Sequence, residues 1–188
     1  TKFFGTQTAK ELVQEGNRAD LLIAFNVLPH VPNLNDFVIG LKHLLKDDGI
    51  ITIQFSAYLL KLIQKTEFDT IYHGHFSYFS LLTLQKIFAH HGLTVFDVEE
   101  LPIHGGSLRL YIKHSDNDSI KIIDTVQRKI DEEKQFGLDK ITTYQRFQKQ
   151  VIDMREMVDT FFSDVKIQNK KIVGYGAAAK GNTFLNYC

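Results

Sequence analysis

The sequence predicts an α/β protein built on the later half of a doubly wound parallel sheet, with helices on both faces, followed by helices and the opening of a second unit of the same kind. Three observations predict it. Two apolar runs, Asp20-Leu-Leu-Ile-Ala-Phe25 and Ile50-Ile-Thr-Ile-Gln-Phe55, are bounded by polar residues, as suits strands buried on both faces of a parallel sheet. A helical stretch with short connections separates them, giving the strand, helix, strand order of a crossover unit. Finally, Lys171 to Gly181 reads as a strand running into a glycine turn and a helix.

Taken in order, Ala9 to Glu15 is rich in helix formers and Gly16-Asn17 is its stop. The first strand, Leu21 to Phe25, ends at Asn26. Asn33 to Asp36 supplies capping residues for a helix whose Phe37, Val38, Leu41, Leu44 and Leu45 share a face, and Lys46-Asp-Asp-Gly49 ends it. Ser80 caps a helix over Leu81 to His91, closed by Gly92; Leu93 to Val98 and Ser107 to Ile112 are then a strand pair closing the sheet. From Ser119 to Val165 apolar residues recur at helical spacing, interrupted near Gly137, which predicts two helices. The expected division is 1–115 for the sheet domain, 116–168 for a helical connector and 169–188 for the start of a second unit.

Composition narrows the function. Of 188 residues 44% are hydrophobic and 23% charged, as in an ordinary globular chain. Lys plus Arg (22) balances Asp plus Glu (22), so no global field favours nucleic acid or an anionic membrane. No apolar stretch approaches the roughly 20 residues of a membrane span. A single cysteine, Cys188, allows neither an internal disulfide nor a four-cysteine zinc site, and a reducing cytoplasm is the expected location. The start, Thr-Lys-Phe-Phe-Gly, reads as an internal cut without a targeting signal.

Several residues bear on chemistry. Asn26 and Val27 follow the first strand at the edge where such sheets bind ligands, although Asn26 equally suits a plain strand end. Tyr72-His73-Gly74-His75 combines an imidazole that titrates near neutrality with a phenol able to donate to an oxyanion. Phe76, Tyr78 and Phe79 read as core. His73-x-His75, His90-His91 and His104 lack an accompanying His-Glu-x-x-His or cysteine pair, so no metal site is expected in this chain. Gly105-Gly106 permits close backbone approach, by a ligand or simply in a turn. Gly174-x-Gly176-x-x-Ala179 satisfies the permissive dinucleotide fingerprint.

Four segments carry a resemblance: Asn26-Val-Leu-Pro-His30-Val-Pro32, Phe68 to Ser80, Leu101 to Arg109, and Val173 to Thr183. In order and spacing they resemble the S-adenosylmethionine-dependent sugar C-methyltransferases, with a class I Rossmann-like methyltransferase sheet. Members place a methyl group next to the keto group of a dTDP-linked deoxysugar, by proton abstraction and an enolate. The resemblance implies S-adenosylmethionine as cofactor and a nucleotide-linked sugar as substrate. It further implies catalytic roles for Tyr72, His75 and His30, cofactor contacts at Asn26 and Val27, and substrate contacts at His104, Gly105, Gly106, Gly174, Gly176 and Lys180, with phosphate at Lys180. Zinc would be confined to an N-terminal domain that this chain does not contain. The cofactor's glycine loop is likewise expected upstream of Thr1, so the isolated chain is expected to bind S-adenosylmethionine weakly or not at all. The family pattern is Tyr-x-Glu-His, and Gly74 stands in the glutamate position. Restoring a carboxylate there is expected to raise proton abstraction. Two other readings stay open: a vestigial module without turnover, and an NAD(P)-dependent protein built around Gly174 and Gly176.

Overall fold

Side chains alternate across a strand, and residues 51–55 show what that alternation builds. In the computed structural model, which describes residues 2–188, Ile51, Ile53 and Phe55 are wholly buried on one face of the sheet. The strands are β1 (Ala19–Phe25), β2 (Leu45–Phe55), β3 (Leu93–Leu101) and β4 (Ser107–His114), in the spatial order β1-β2-β4-β3. β1 and β2 are parallel, as the crossover pattern predicts, and β4 is antiparallel to both of its neighbours. Leu108, Leu110 and Ile112 of β4 continue the buried face.

The helices are α1 (Thr6–Gln14), α2 (Leu34–Leu44), α3 (Leu59–Gln64), α4 (Leu81–His90), α5 (Asp124–Phe136), α6 (Ile141–Ile167) and α7 (Ala179–Tyr187). Their starts follow the capping chemistry. The Asn33 side chain accepts from the Asp36 N–H at 3.1 Å, and Ser80 Oγ accepts from the Thr83 N–H at 3.2 Å. The core joins Phe37, Val38 and Leu41 of α2, Leu60 and Leu62 of α3, Leu84 and Phe88 of α4, and Val126 and Ile130 of α5 to that single sheet face. Among the described residues no helix is long and apolar enough to cross a membrane.

Three expectations need correction. β1 is not buried on both faces: Leu21 and Ile23 are 53% and 61% exposed, and the sheet face they share with Thr52 and Gln54 has no helix in the core cluster. An apolar run fits a doubly buried strand, but burial needs neighbours, and β1 is an edge strand here. Residues 46–49 do not simply end α2. They form a bulge inside β2 opposite Asp20, between the pairs Ala19 with Leu45 and Leu21 with Ile50. Lys171 to Val173 is not a strand, and Val173 is 79% exposed. A strand's backbone must pair with another strand, and none lies beside it.

Gly137 ends α5 in the left-handed conformation, φ 92°, and an added Cβ would sit 2.8 Å from Thr143 Oγ1. Gly137→Ala should therefore cost about 1–2 kcal/mol of stability. Urea denaturation with an unchanged midpoint would refute this.

Candidate active site

The parallel strands and the β3–β4 hairpin deliver three loops to one edge of the sheet. Phe25 pairs with Gln54, Phe55 with Leu108, and Leu101 with Ser107, so the loops after β1, after β2 and between β3 and β4 all leave from that edge. The turns out of the strands are abrupt: Asn26 and Ala57 both take left-handed backbone, φ 55° and 59°. Asn26 is tied down by donating its N–H to the Gln54 carbonyl at 2.8 Å.

The loop after β1 contains a three-ten turn, Leu28–His30, with His30 N–H donating to Val27 at 2.9 Å. It meets the loop after β2 through two bonds. Phe76 N–H donates to the Pro29 carbonyl at 2.8 Å, and His30 Nδ1 donates to the Gly74 carbonyl at 2.5 Å. These contacts bring the His30 and His75 rings to 4.9 Å between centroids.

His75 is held at both nitrogens. Its Nδ1 lies 3.1 Å from the Thr70 carbonyl, which can only accept, so Nδ1 carries the proton. In the neutral ring Nε2 is then the bare nitrogen, and the Tyr72 hydroxyl donates to it at 3.1 Å. The Tyr72 ring lies 4.3 Å from that of His75, and Tyr78 closes the other side at 5.6 Å. Burial holds the His75 pKa below the ordinary value, reinforced by His30 and Lys180 and opposed by the Thr70 carbonyl.

Gly74 has a structural consequence here. A Cβ at that position would lie 2.8 Å from Tyr72 Cε2, so the absent side chain leaves the space that the Tyr72 ring fills. The His75 ring takes its orientation from the Thr70 carbonyl.

Not all of the sequence candidates converge. His30, Tyr72 and His75 are in contact, Asn26 and Val27 share the His30 loop, and Lys180 is near enough to lower the His75 pKa. Lys180 arrives on α7, whose Phe184 and Tyr187 pack on Phe68 at 6.4 and 5.1 Å between ring centroids. Gly105 and Gly106 make their close approach to the chain itself: a Cβ would meet Glu67 at 2.5 Å and Lys61 at 2.7 Å. His104, left-handed at φ 54°, leaves from the same sheet edge but makes no side-chain bond to the histidine pair. Gly174 and Gly176 have nothing within 4 Å of where a Cβ would stand, and no strand precedes them as the dinucleotide fingerprint requires. His90 and His91 end α4, leading into the start of β3 at the opposite edge. Among the described residues no three His, Cys, Asp or Glu side chains are grouped to hold a metal ion.

Sequence reasoning missed Thr70 and Glu133. Nothing marks a backbone carbonyl in a sequence. Glu133, however, stands on the face of α5 that carries Val126 and Ile130, and a carboxylate on an apolar stripe was a legible signal.

An α/β sheet with a histidine and tyrosine cluster at the carboxyl ends of parallel strands defines an enzyme-like nucleotide or cofactor fold. The methyltransferase domain family matches residues 2–98, more than half of the 188, and the C-methyltransferase C-terminal domain family matches residues 102–188. The chain belongs to the methyltransferase domain family, and its second half resembles the C-methyltransferase C-terminal domain. It is 31% identical over 185 residues to the C-methyltransferase NovU of Streptomyces niveus, covering 98% of this chain and 44% of that protein. It therefore spans less than half the length of that relative. Among solved structures, magnesium protoporphyrin IX methyltransferase from Synechocystis PCC 6803 aligns with TM-score 0.42 at 19% identity, over 55% of this chain and 48% of that one. The M1.HpyAVI–SAM complex aligns with TM-score 0.39 at 13% identity, over 63% and 54%.

Because folding lowers the His75 pKa, the unfolded chain binds more protons between the two values, so stability is lost as pH falls from the ordinary histidine value through the lower folded one. NMR titration of His75 should give a midpoint below that of an unstructured histidine, with Tyr72→Phe changing it. A midpoint at or above the ordinary value would contradict the site's geometry.

Proposed function

We propose that the chain carries the proton-abstraction machinery of an S-adenosylmethionine-dependent C-methyltransferase acting on a carbon next to the keto group of a nucleotide-linked deoxysugar. The observation that carries the reading is the His75 ring, fixed at Nδ1 by Thr70 and presenting Nε2 to the Tyr72 hydroxyl. The family membership and the four sequence segments support the same chemistry.

His75 Nε2 takes the proton from the carbon, and the electron pair moves to the ketone oxygen. A lowered pKa suits this, since the imidazole stays neutral and ready near pH 7. Tyr72 turns its hydroxyl from Nε2 to the developing oxyanion, which places a donor where charge appears. The His30 ring lies 4.9 Å from that of His75, and with Nδ1 committed to Gly74 its Nε2 is left for the substrate. Lys180 supplies positive charge suited to the sugar nucleotide's phosphates and adds the smallest share to the lowering of the His75 pKa, which comes first from burial and then from His30.

At the cofactor side the residues fit. Val27, 40% exposed beside the carboxyl end of β1, offers apolar surface to an adenine ring next to the exposed Asn26, while the Arg109 guanidinium lies over the Phe25 ring at 5.3 Å. S-adenosylmethionine, held beside Asn26 and Val27, would supply the electrophilic methyl group to the carbanion and would leave as the neutral thioether. His75 then returns its proton to solvent.

The test is exchange of the sugar's proton with deuterated solvent, followed by NMR, in the protein containing this chain. His75→Asn should slow exchange by about 10²–10⁴-fold, and Tyr72→Phe by a measurable smaller factor. Gly74→Glu should not accelerate it, because the new side chain displaces the Tyr72 ring. Exchange at the parent rate in His75→Asn would sink the assignment of the base, and faster exchange in Gly74→Glu would show that the carboxylate outweighs Tyr72.

A further inference from the structure

Both ends of the segment that carries Tyr72 and His75 run to one buried side chain. The segment runs from Tyr58, the residue before α3 and three after the end of β2, through α3 to Leu81, the first residue of α4. At its start the Tyr58 hydroxyl donates to Glu133 Oε1 at 2.8 Å. At its end Leu81 N–H donates to the same oxygen at 2.7 Å, and Leu82 N–H donates to Oε2 at 2.8 Å. A backbone bond from Leu59 N–H to the Phe79 carbonyl, 3.0 Å, lies between them. Glu133 and Tyr58 are both fully buried.

We propose that Glu133, reaching in from α5, is a positioning residue for the Tyr72 and His75 pair, holding the two ends of their segment together. The link to methyl transfer rests on the function proposed above, while the positioning itself does not.

The chemistry of the contact supports more than a helix cap. Three donors converge on two oxygens, so the group that fits is the acceptor-only carboxylate. Burial pushes its pKa above the usual carboxylate range, and the donors from Leu82, Leu81 and Tyr58, with the nearby Lys129, oppose that. Capping α4 would need only the two backbone bonds. The phenol of Tyr58 belongs to the opposite end of the segment, 23 positions earlier than Leu81, and draws the loop shut. The family boundaries sharpen the point: the segment lies within residues 2–98, matched as the methyltransferase domain, and Glu133 lies within residues 102–188, matched as the C-terminal domain. A residue of the second region thus sets the geometry of a site built in the first.

Two variants of this chain test it. Glu133→Gln puts an amide NH2 where a donor already points, and Tyr58→Phe removes the phenol contact while leaving the α4 cap intact. In each, amide hydrogen exchange across residues 66–79 should quicken on the order of fivefold to tenfold, the effect of about one lost hydrogen bond. The His75 titration midpoint should shift back toward the ordinary histidine value, while protection of Ile51 to Phe55 and Leu108 to Ile112 stays as in the parent. A purely structural cap would leave His75 and residues 66–79 unmoved in Tyr58→Phe, and that outcome overturns the proposal. If Glu133→Gln does not fold, Tyr58→Phe decides alone. Neither readout depends on methyl transfer, so an inactive His75 with a displaced loop would fault the function and leave the positioning standing.

Discussion

A single buried carboxylate closes the most function-laden part of this structure. Glu133 removes three donors from water and returns each a partner, which is the condition for burying polar groups at all. With Ser80 Oγ accepting from Thr83, it gives partners to the N–H groups of Leu81, Leu82 and Thr83, which the helix's own first bond, Leu84 N–H to the Ser80 carbonyl, leaves unpaired. The same contact anchors α5, whose Val126 and Ile130 enter the core on either side of Lys129, itself paired with Glu100 of β3 at 2.7 Å. Helix capping, helix packing and loop closure therefore share one origin, and losing it would unsettle all three together.

The site follows from where strands end. Parallel β1 and β2 both release their loops at one edge, and left-handed turns at Asn26 and Ala57 fold those loops over it rather than outward. Backbone carbonyls then do the orienting: Gly74 accepts from His30, and Thr70 accepts from His75. His75 consequently presents Nε2 to the Tyr72 hydroxyl. Gly74 contributes by having no side chain, since the Tyr72 ring occupies the space a Cβ would take.

Much of this was legible in the sequence. Strand composition gave β1 and β2, the Asn33 and Ser80 caps gave α2 and α4, and Gly137 marked the break between α5 and α6. The resemblance implies shared roles for Tyr72, His75 and His30, and the three side chains lie in contact. What periodicity does not carry is partnership. The apolar run of β1 reads as doubly buried although one face is open, and Lys171 to Val173 reads as a strand although nothing pairs with it. The glycines at 105 and 106 signalled close approach without saying to what, and the answer was α3 and the residues after it. The Thr70 carbonyl left no trace, because backbone acceptors are common to every residue.

His75 keeps its proton on Nδ1, and in the proposed function its Nε2 is the base. Long-range proton–nitrogen correlation NMR on the neutral ring reads this directly. The expected result is the tautomer protonated at Nδ1, with Nε2 carrying no hydrogen. A ring protonated at Nε2 would mean that the Thr70 bond does not set the tautomer, and would contradict the assignment of His75 as the group that takes the proton.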